Sequence, residues 1–190
     1  MIVTNIETAF IERSLSRAGL PFSKGKPPDK TLINLANAKQ RSHAKFLRQM
    51  KIAFDVTAPL YWFSEFDTYR IGVTRMSDST MHTLLNRELS PNDFLHTVDN
   101  DLTYTFVMKA IQGINAIREK ENWDNNTKLI SIKKILPSSF KYTSFITMNY
   151  EVLRTIYHDR INHRLPEWQM FLNSFRDIPY FQEFIVGGEK

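Results

Sequence analysis

Two separated blocks constrain this chain most. In IAFDVTAPLYWFSEFDTYRIGVTRMSDSTMHTL, residues 52–84, and in ILPSSFKYTSFITMNYEVLRTIYHDR, residues 135–160, an alternating or apolar run leads straight into hydroxyl, amide and cationic residues. That order is a strand delivered to a polar helix start, an arrangement suited to an anion at the helix N-terminus, and it points to a nucleotide site. Ile52-Ala53-Phe54-Asp55-Val56-Thr57 alternates and carries β-branched side chains, so it reads as a strand that Pro59 closes. Phe140 to Met148 reads as the second strand.

The remaining segments are mostly helical. A first helix is expected over Glu7 to Ala18, stopped by Gly19, with Pro21 just beyond. Residues 21–30, rich in proline, form a loop or a lid. A broken helix follows to Met50, carrying Leu32, Leu35, Phe46 and Leu47. Short helices are expected after Pro59, through Thr80 to Leu85, and after Ser90-Pro91, while Arg70 to Thr74 reads as irregular or extended. Leu102, Phe106, Ala110, Gly113, Ile114 and Ile117 lie three to four apart and make the core stripe of a longer helix. Another helix carries Leu129, Ile132 and Ile135 and stops at Pro137. Tyr150, Leu153, Ile156 and Tyr157 mark the next, Trp168, Phe171, Leu172 and Phe175 one after Pro166, and Phe181 to Val186 a docked tail. At 190 residues and 42% hydrophobic, one domain over 1–190 is expected, of α/β (α+β) class, with a small central sheet flanked by helices.

Composition excludes several functions. Without cysteine the chain has no disulfide, thiolate nucleophile or cysteine-bound zinc. No run approaches a membrane span of about 18 apolar residues, and the opening MIVTNIETAFIER lacks the apolar stretch of a signal peptide, so a cytoplasmic protein is expected. The net charge of +5 is local: residues 24–51 hold eight basic residues against the single acid Asp29, a net +7, leaving −2 elsewhere. Such a stretch attracts nucleic acid, an acidic partner or a phosphorylated ligand, or is simply a solvated helix face. Phe46 is the one aromatic among these cations, so the segment by itself has no stacking platform for single strands.

Arg160 stands out chemically. It falls seven after Leu153 and four after Ile156, extending an apolar helix face, where a cation needs a partner. That partner is a C-terminal carbonyl, a carboxylate, or a ligand oxygen held by the guanidinium fork. Ser77, Asp78, Ser79, Thr80 and His82 crowd one helix start; they suit a phosphate if Asp78 faces away or a cation such as Arg75 or Lys133 offsets it, and they serve equally as caps. Ser, Asp and His on one turn make no hydrolase relay, and no G-x-S-x-G elbow exists. His158 and His163, five apart, miss the spacing of a helical metal pair, so no metal is expected. Glu65 and Asp67 lie in an aromatic-rich segment where burial would raise a carboxyl pKa. No Walker or Rossmann glycine pattern is present.

The two blocks together resemble the flavin-dependent thymidylate synthases. The first is similar to that family's strand ending in Ala-Pro, followed by Arg-Gln, an Arg-His-Arg triplet and Asn-Glu-x-Ser-x-Arg-Tyr; the second, from KKILPSSFKYTSFITMNYEVLRTIYHDR, is similar to its Leu-Pro, aromatic strand, Thr-x-Asn and helix ending in arginine. The resemblance implies an α/β homotetramer that binds FAD and dUMP at subunit interfaces and methylates dUMP with methylenetetrahydrofolate and a flavin hydride, without a cysteine nucleophile. It implies that Arg160 holds the pyrimidine as the catalytic residue. Lys133, Ser77, Ser79, Thr80 and Glu65 would meet the nucleotide, and Arg70, Tyr69, Asn149 and His82 the cofactor. The signature departs at Thr68-Tyr69-Arg70, at Glu65 in place of Gln, at Met76 in place of Glu, and at Asp78-Ser79-Thr80 in place of Ser-x-Arg. Each lost cation or added carboxylate, if unpaired, costs about 1–3 kcal/mol against an anionic ligand. NLAN near residue 34 and the STMH that ends the first block resemble segments of phage and prophage proteins. The alternative expectation is a non-catalytic scaffold that uses residues 24–51 on nucleic acid or an acidic protein.

Overall fold

The computed structural model describes residues 1–22, 24–38, 40–95 and 102–187. Its regular elements are β1 (Ile2–Ala9), α1 (Ile11–Arg17), α2 (Asp29–Ala36), β2 (Lys51–Pro59), α3 (Leu60–Phe66), β3 (Thr74–Ser77), α4 (Thr80–Thr83), α5 (Leu102–Arg118), α6 (Asn125–Ile135), β4 (Lys141–Asn149), α7 (Tyr150–Arg160) and α8 (Pro166–Asn173). Short 3-10 turns occupy Leu20–Phe22, Lys45–Arg48 and Pro91–Asp93, and a π-helical turn covers Phe181–Gly187. The strands pair in the order β1-β2-β4-β3. The chain divides into two compact units, one of Met1–Val56, Asp67–Met76 and Phe145–Lys190, the other of Thr57–Phe66 and Ser77–Ser144.

In the first unit, β2 and β4 are the strands legible in the sequence. Ile52, Phe54 and Val56 are buried on one face of β2, and Ile146 and Met148 are buried on β4. Phe54 meets Phe171 at 5.7 Å and Phe175 at 4.9 Å edge-on, which docks α8 and its following turn onto β2. The helix expected from Glu7 is corrected: Glu7 to Ala9 complete β1, and α1 begins only at Ile11. IVTNIETA is β-branched, but its burial does not alternate cleanly and Asn5 has φ 53°, so the period of a half-buried strand is absent. The expected docked tail is present. Phe184 packs on Phe46 at 5.5 Å, Tyr150 Oη donates to the Pro179 carbonyl at 2.9 Å, and Asn37 Nδ2 donates to the Glu183 carbonyl at 3.4 Å. Burial at that position pushes the Tyr150 phenol well above its ordinary range.

In the second unit, Leu84, Leu89, Phe94, Val107, Ile111, Ile114, Leu129, Ile132 and Phe140 form one core. The α5 stripe is corrected by one position: Val107, Ile111 and Ile114 are buried, whereas Leu102 and Phe106 are 71% and 60% exposed. Apolar residues cover most of the circumference of LTYTFVMKAIQGINAI, so period alone does not choose the face, and packing on α6 does.

The turn at Pro91–Asp93 is set by a capping box in which Asp93 Oδ2 accepts from the Ser90 N–H at 2.7 Å. Arg87 Nη1 donates to the same carboxylate at 2.8 Å. The Arg87 hydrogen bond, ahead of the Ser90 N–H, holds the Asp93 carboxyl below its usual range. A depressed folded pKa means that this contribution is fully present above the ordinary carboxylate range and disappears as pH falls through the folded value. Asp93→Asn is expected to cost about 1 kcal/mol at neutral pH and to flatten the acid limb of the stability curve, as read by urea unfolding across pH.

Candidate functional site

The expected site residues fall into two groups, one in each unit. In the first unit Arg160 ends α7, and its guanidinium carbon stands 4.7 Å from the Trp168 ring centre and 5.6 Å from that of Tyr69. Its Nε donates to Tyr69 Oη at 2.9 Å, and the Tyr69 hydroxyl donates in turn to Asp159 Oδ2 at 3.2 Å. One phenol oxygen thus accepts from the cation and donates its single O–H to the carboxylate, which orients the guanidinium. Burial raises the Tyr69 pKa, and the neighbouring Arg160 pulls it the other way. Gln169 Nε2 donates to the Arg160 carbonyl at 3.2 Å, closing the end of α7.

Arg70 is exposed, and its Nε donates to the Asp67 carbonyl at 3.2 Å. Asn149 is buried and caps α7, its Oδ1 accepting from the Val152 N–H at 3.0 Å. Its Nδ2 lies 3.0 Å from where a side chain on Gly72 would begin, and Gly72 has φ +79°; glycine is what lets this turn close on the cap.

In the second unit the polar start is folded onto β4. The Asp78 N–H donates to the Thr143 carbonyl at 2.9 Å, and Asp78 Oδ2 accepts from the Thr143 N–H at 3.2 Å. Ser79 occupies the N-cap of α4 without a side-chain cap bond, and α4 ends at Thr83. Lys133 Nζ donates to Thr80 Oγ1 at 2.9 Å. Ser77 and His82 are exposed at the two ends of this turn, and Glu65 is half-buried on α3. Lys133 and Thr80 are therefore joined, while the Asp78 carboxylate is engaged by the Thr143 N–H.

Several residues in the first unit were not singled out from sequence. A cavity of about 870 Å3 is lined by Phe10, Phe22 and Phe46 with Arg13, Arg17 and Lys45, and by Pro21, Leu20 and His43. Its size and mixed lining fall in the range of small-molecule sites. The lid expectation for the Pro-rich loop and the +7 segment were the available signals, since Pro21, Phe22 and Lys45 come from them. A smaller cavity of about 250 Å3 is lined by Arg41, Arg154, His158 and Asp159 among others. Burial, then the Arg41 charge, lowers the Arg154 pKa, and burial, then Arg154, lowers that of His158.

The basic segment is partly neutralised. Arg48 grips Glu151 at 2.5 and 3.1 Å, and Lys26 pairs with Glu12 at 3.6 Å. Lys39 lies outside the described residues. Among the described residues no group of three His, Asp or Glu side chains converges on one point, and no helix is long and apolar enough to cross a membrane.

No family model and no curated protein matches the sequence. Solved structures share the fold. Flavin dependent thymidylate synthase ThyX from Helicobacter pylori, complexed with FAD and dUMP, matches with TM-score 0.78 at 16% identity over 97% of this chain and 98% of that one. Another structure of Thymidylate Synthase X (ThyX) from Helicobacter pylori, with FAD and dUMP, matches with TM-score 0.78 at 17% identity over 97% of each chain. The α/β architecture expected from the two blocks is therefore the fold of these enzymes, and roles for individual residues need evidence of their own.

Proposed function

We propose that this chain, built on the flavin-dependent thymidylate synthase fold, binds a planar heterocycle bearing phosphate: FAD, and a pyrimidine nucleotide such as dUMP. The carrying observation is the 870 Å3 cavity, where the exposed Phe10 and Phe22 supply faces for a ring system over a wall that includes the buried Phe46, and Arg13, Arg17 and Lys45 supply charge for phosphate. These residues suit a flavin in kind, and when bound it would supply hydride transfer. The reading extends to a diverged enzyme that transfers a methyl group to dUMP or modifies a related nucleotide. The residues that the resemblance names do not line that cavity; on the same reading Arg160 would meet the base, Lys133, Ser77, Ser79, Thr80 and Glu65 the nucleotide, and Arg70, Tyr69, Asn149 and His82 the cofactor, apart from the cavity. A cytoplasmic, phage-derived homotetramer with ligands at subunit interfaces belongs to the same reading.

Purified protein is expected to carry or take up FAD, with flavin absorption bands that shift when dUMP is added. Ligand at a hundred times its Kd should stabilise the fold by about 2.7 kcal/mol. Absence of bands and of any thermal shift with FAD or pyrimidine nucleotides would sink the reading. It would then favour a scaffold using residues 24–51 on nucleic acid, for which Lys24, Lys30, Arg41, Lys45 and Lys51, without salt bridges among the described residues, are the available cations.

A further inference from the structure

We propose that Phe10 is a ring-stacking platform, held in a left-handed backbone conformation at the cavity so that the planar part of a phosphate-bearing ligand lies against its face. The proposal rests on the reading above and deepens it by naming the residue that selects for the ring.

Phe10 is the single residue between β1 and α1, and its φ of 63° and ψ of 16° make the whole reversal from strand to helix. Large L side chains avoid that region, and glycine or asparagine would turn the chain there with less strain. Burial does not explain the choice: Phe10 is 61% exposed, so its ring is not anchored in a core. Nor does capping, since an N-cap position favours Ser, Thr, Asp, Asn or Gly, and no side-chain cap bond exists here. The Phe10 carbonyl accepts from the Ser14 N–H at 2.9 Å, which ties the strained residue to the first turn of α1. A strained residue without a packing reason is a mark of function.

The surroundings say what that function is. Arg13 and Arg17, four apart on α1, share one helix face, and both line the same cavity as Phe10. Phe22, 64% exposed, lines it too. A ring beside two guanidinium groups is complementary to an aromatic heterocycle with a phosphate attached, the guanidinium groups meeting the charge and the ring adding a face for the heterocycle.

The test compares the full chain as wild type, Phe10→Gly and Phe10→Tyr. Phe10→Gly is expected to raise Tm by roughly 2–4 °C, because glycine occupies this conformation without strain, while weakening FMN binding by about tenfold or more. Phe10→Tyr, which keeps the ring, should bind FMN as wild type does. Inorganic pyrophosphate, which has the charge but no ring, should bind all three alike. Equal FMN affinity in wild type and Phe10→Gly, or a lowered Tm in Phe10→Gly, overturns the proposal. So does loss of pyrophosphate binding in Phe10→Gly, which would trace the effect to a disturbed α1. If wild type takes up no FMN, the comparison is made with FAD; if it takes up neither FAD nor a pyrimidine nucleotide, the nucleotide reading falls by itself, and titration with 8-anilinonaphthalene-1-sulfonate, an aromatic sulfonate, decides Phe10 separately. Fluorescence enhancement lost in Phe10→Gly upholds the platform, and the same signal in both proteins removes it.

Discussion

Trp168→Ala is expected to cost about 3–5 kcal/mol, the largest loss from any single substitution considered, and to lower Tm by roughly 10 °C. The indole is fully buried and touches Phe171 edge-on at 5.9 Å, Tyr69 at 6.2 Å and His163 at 6.2 Å. Truncation removes that apolar burial and leaves a cavity under α8, whose other core residues, Phe171 and Leu172, are fixed by their own packing and collapse only partly. It also removes the face on which Arg160 rests, so the guanidinium loses its ring contact together with the core. Trp168→Phe should recover most of the stability, since a smaller ring still fills much of the space. Urea unfolding of the two variants decides it: an alanine variant within about 1 kcal/mol of wild type would show that the indole is not a core residue.

Arg160→Ala is expected to lose about 1–3 kcal/mol, because the side chain is tied to the fold through Tyr69 and Trp168. Arg160→Lys should not restore it, since an ammonium neither stacks on the indole as a plane nor offers Nε to the Tyr69 oxygen. Tyr69→Phe removes the hydroxyl's hydrogen bonds with Arg160 and Asp159 but keeps the ring, and should cost less than Arg160→Ala, leaving the cation on Trp168. Thermal unfolding with and without dUMP separates the roles. Lost dUMP affinity with stability unchanged in Arg160→Ala would mean that the arginine serves ligand alone, contrary to the contacts seen. Loss of both would mean that one oriented guanidinium serves fold and ligand together.

What could be read from sequence was local. The alternation of Ile52, Phe54 and Val56 marks β2 because one face of that strand is buried, and Phe140 to Met148 marks β4 in the same way. Ser90-Pro91 marks a capped start, though the helix expected from there through Phe94 and Leu95 is only a 3-10 turn over Pro91–Asp93, with Phe94 extended and bridged to Phe140; Pro137 stops α6 and Pro166 starts α8, since each acts on its own backbone neighbours. The edge strand β1 was not legible, and its last three residues fell in the helix expected from Glu7, because an exposed strand has no need to alternate. On α5 the buried face was chosen by α6, not by the helix's own period.

The candidate site follows the same division. Arg160 was legible as a cation on an apolar face, and its partner was left open among a carbonyl, a carboxylate and a ligand; the fold also supplies the Tyr69 phenol from distant chain and the Trp168 indole from the next helix. The basic segment was legible as charge but lacked aromatic faces of its own beyond Phe46. Phe10 and Phe22 lie outside it, and only folding of β1, α1 and the proline-rich turn brings them to Lys45 around one cavity. By itself the sequence determined the central strands, the helix stops and the placement of charge, because these depend on residues a few positions apart. Tertiary structure decided which apolar faces are core and which rings meet which cations, because those pairings are made by contacts between segments that no local pattern encodes.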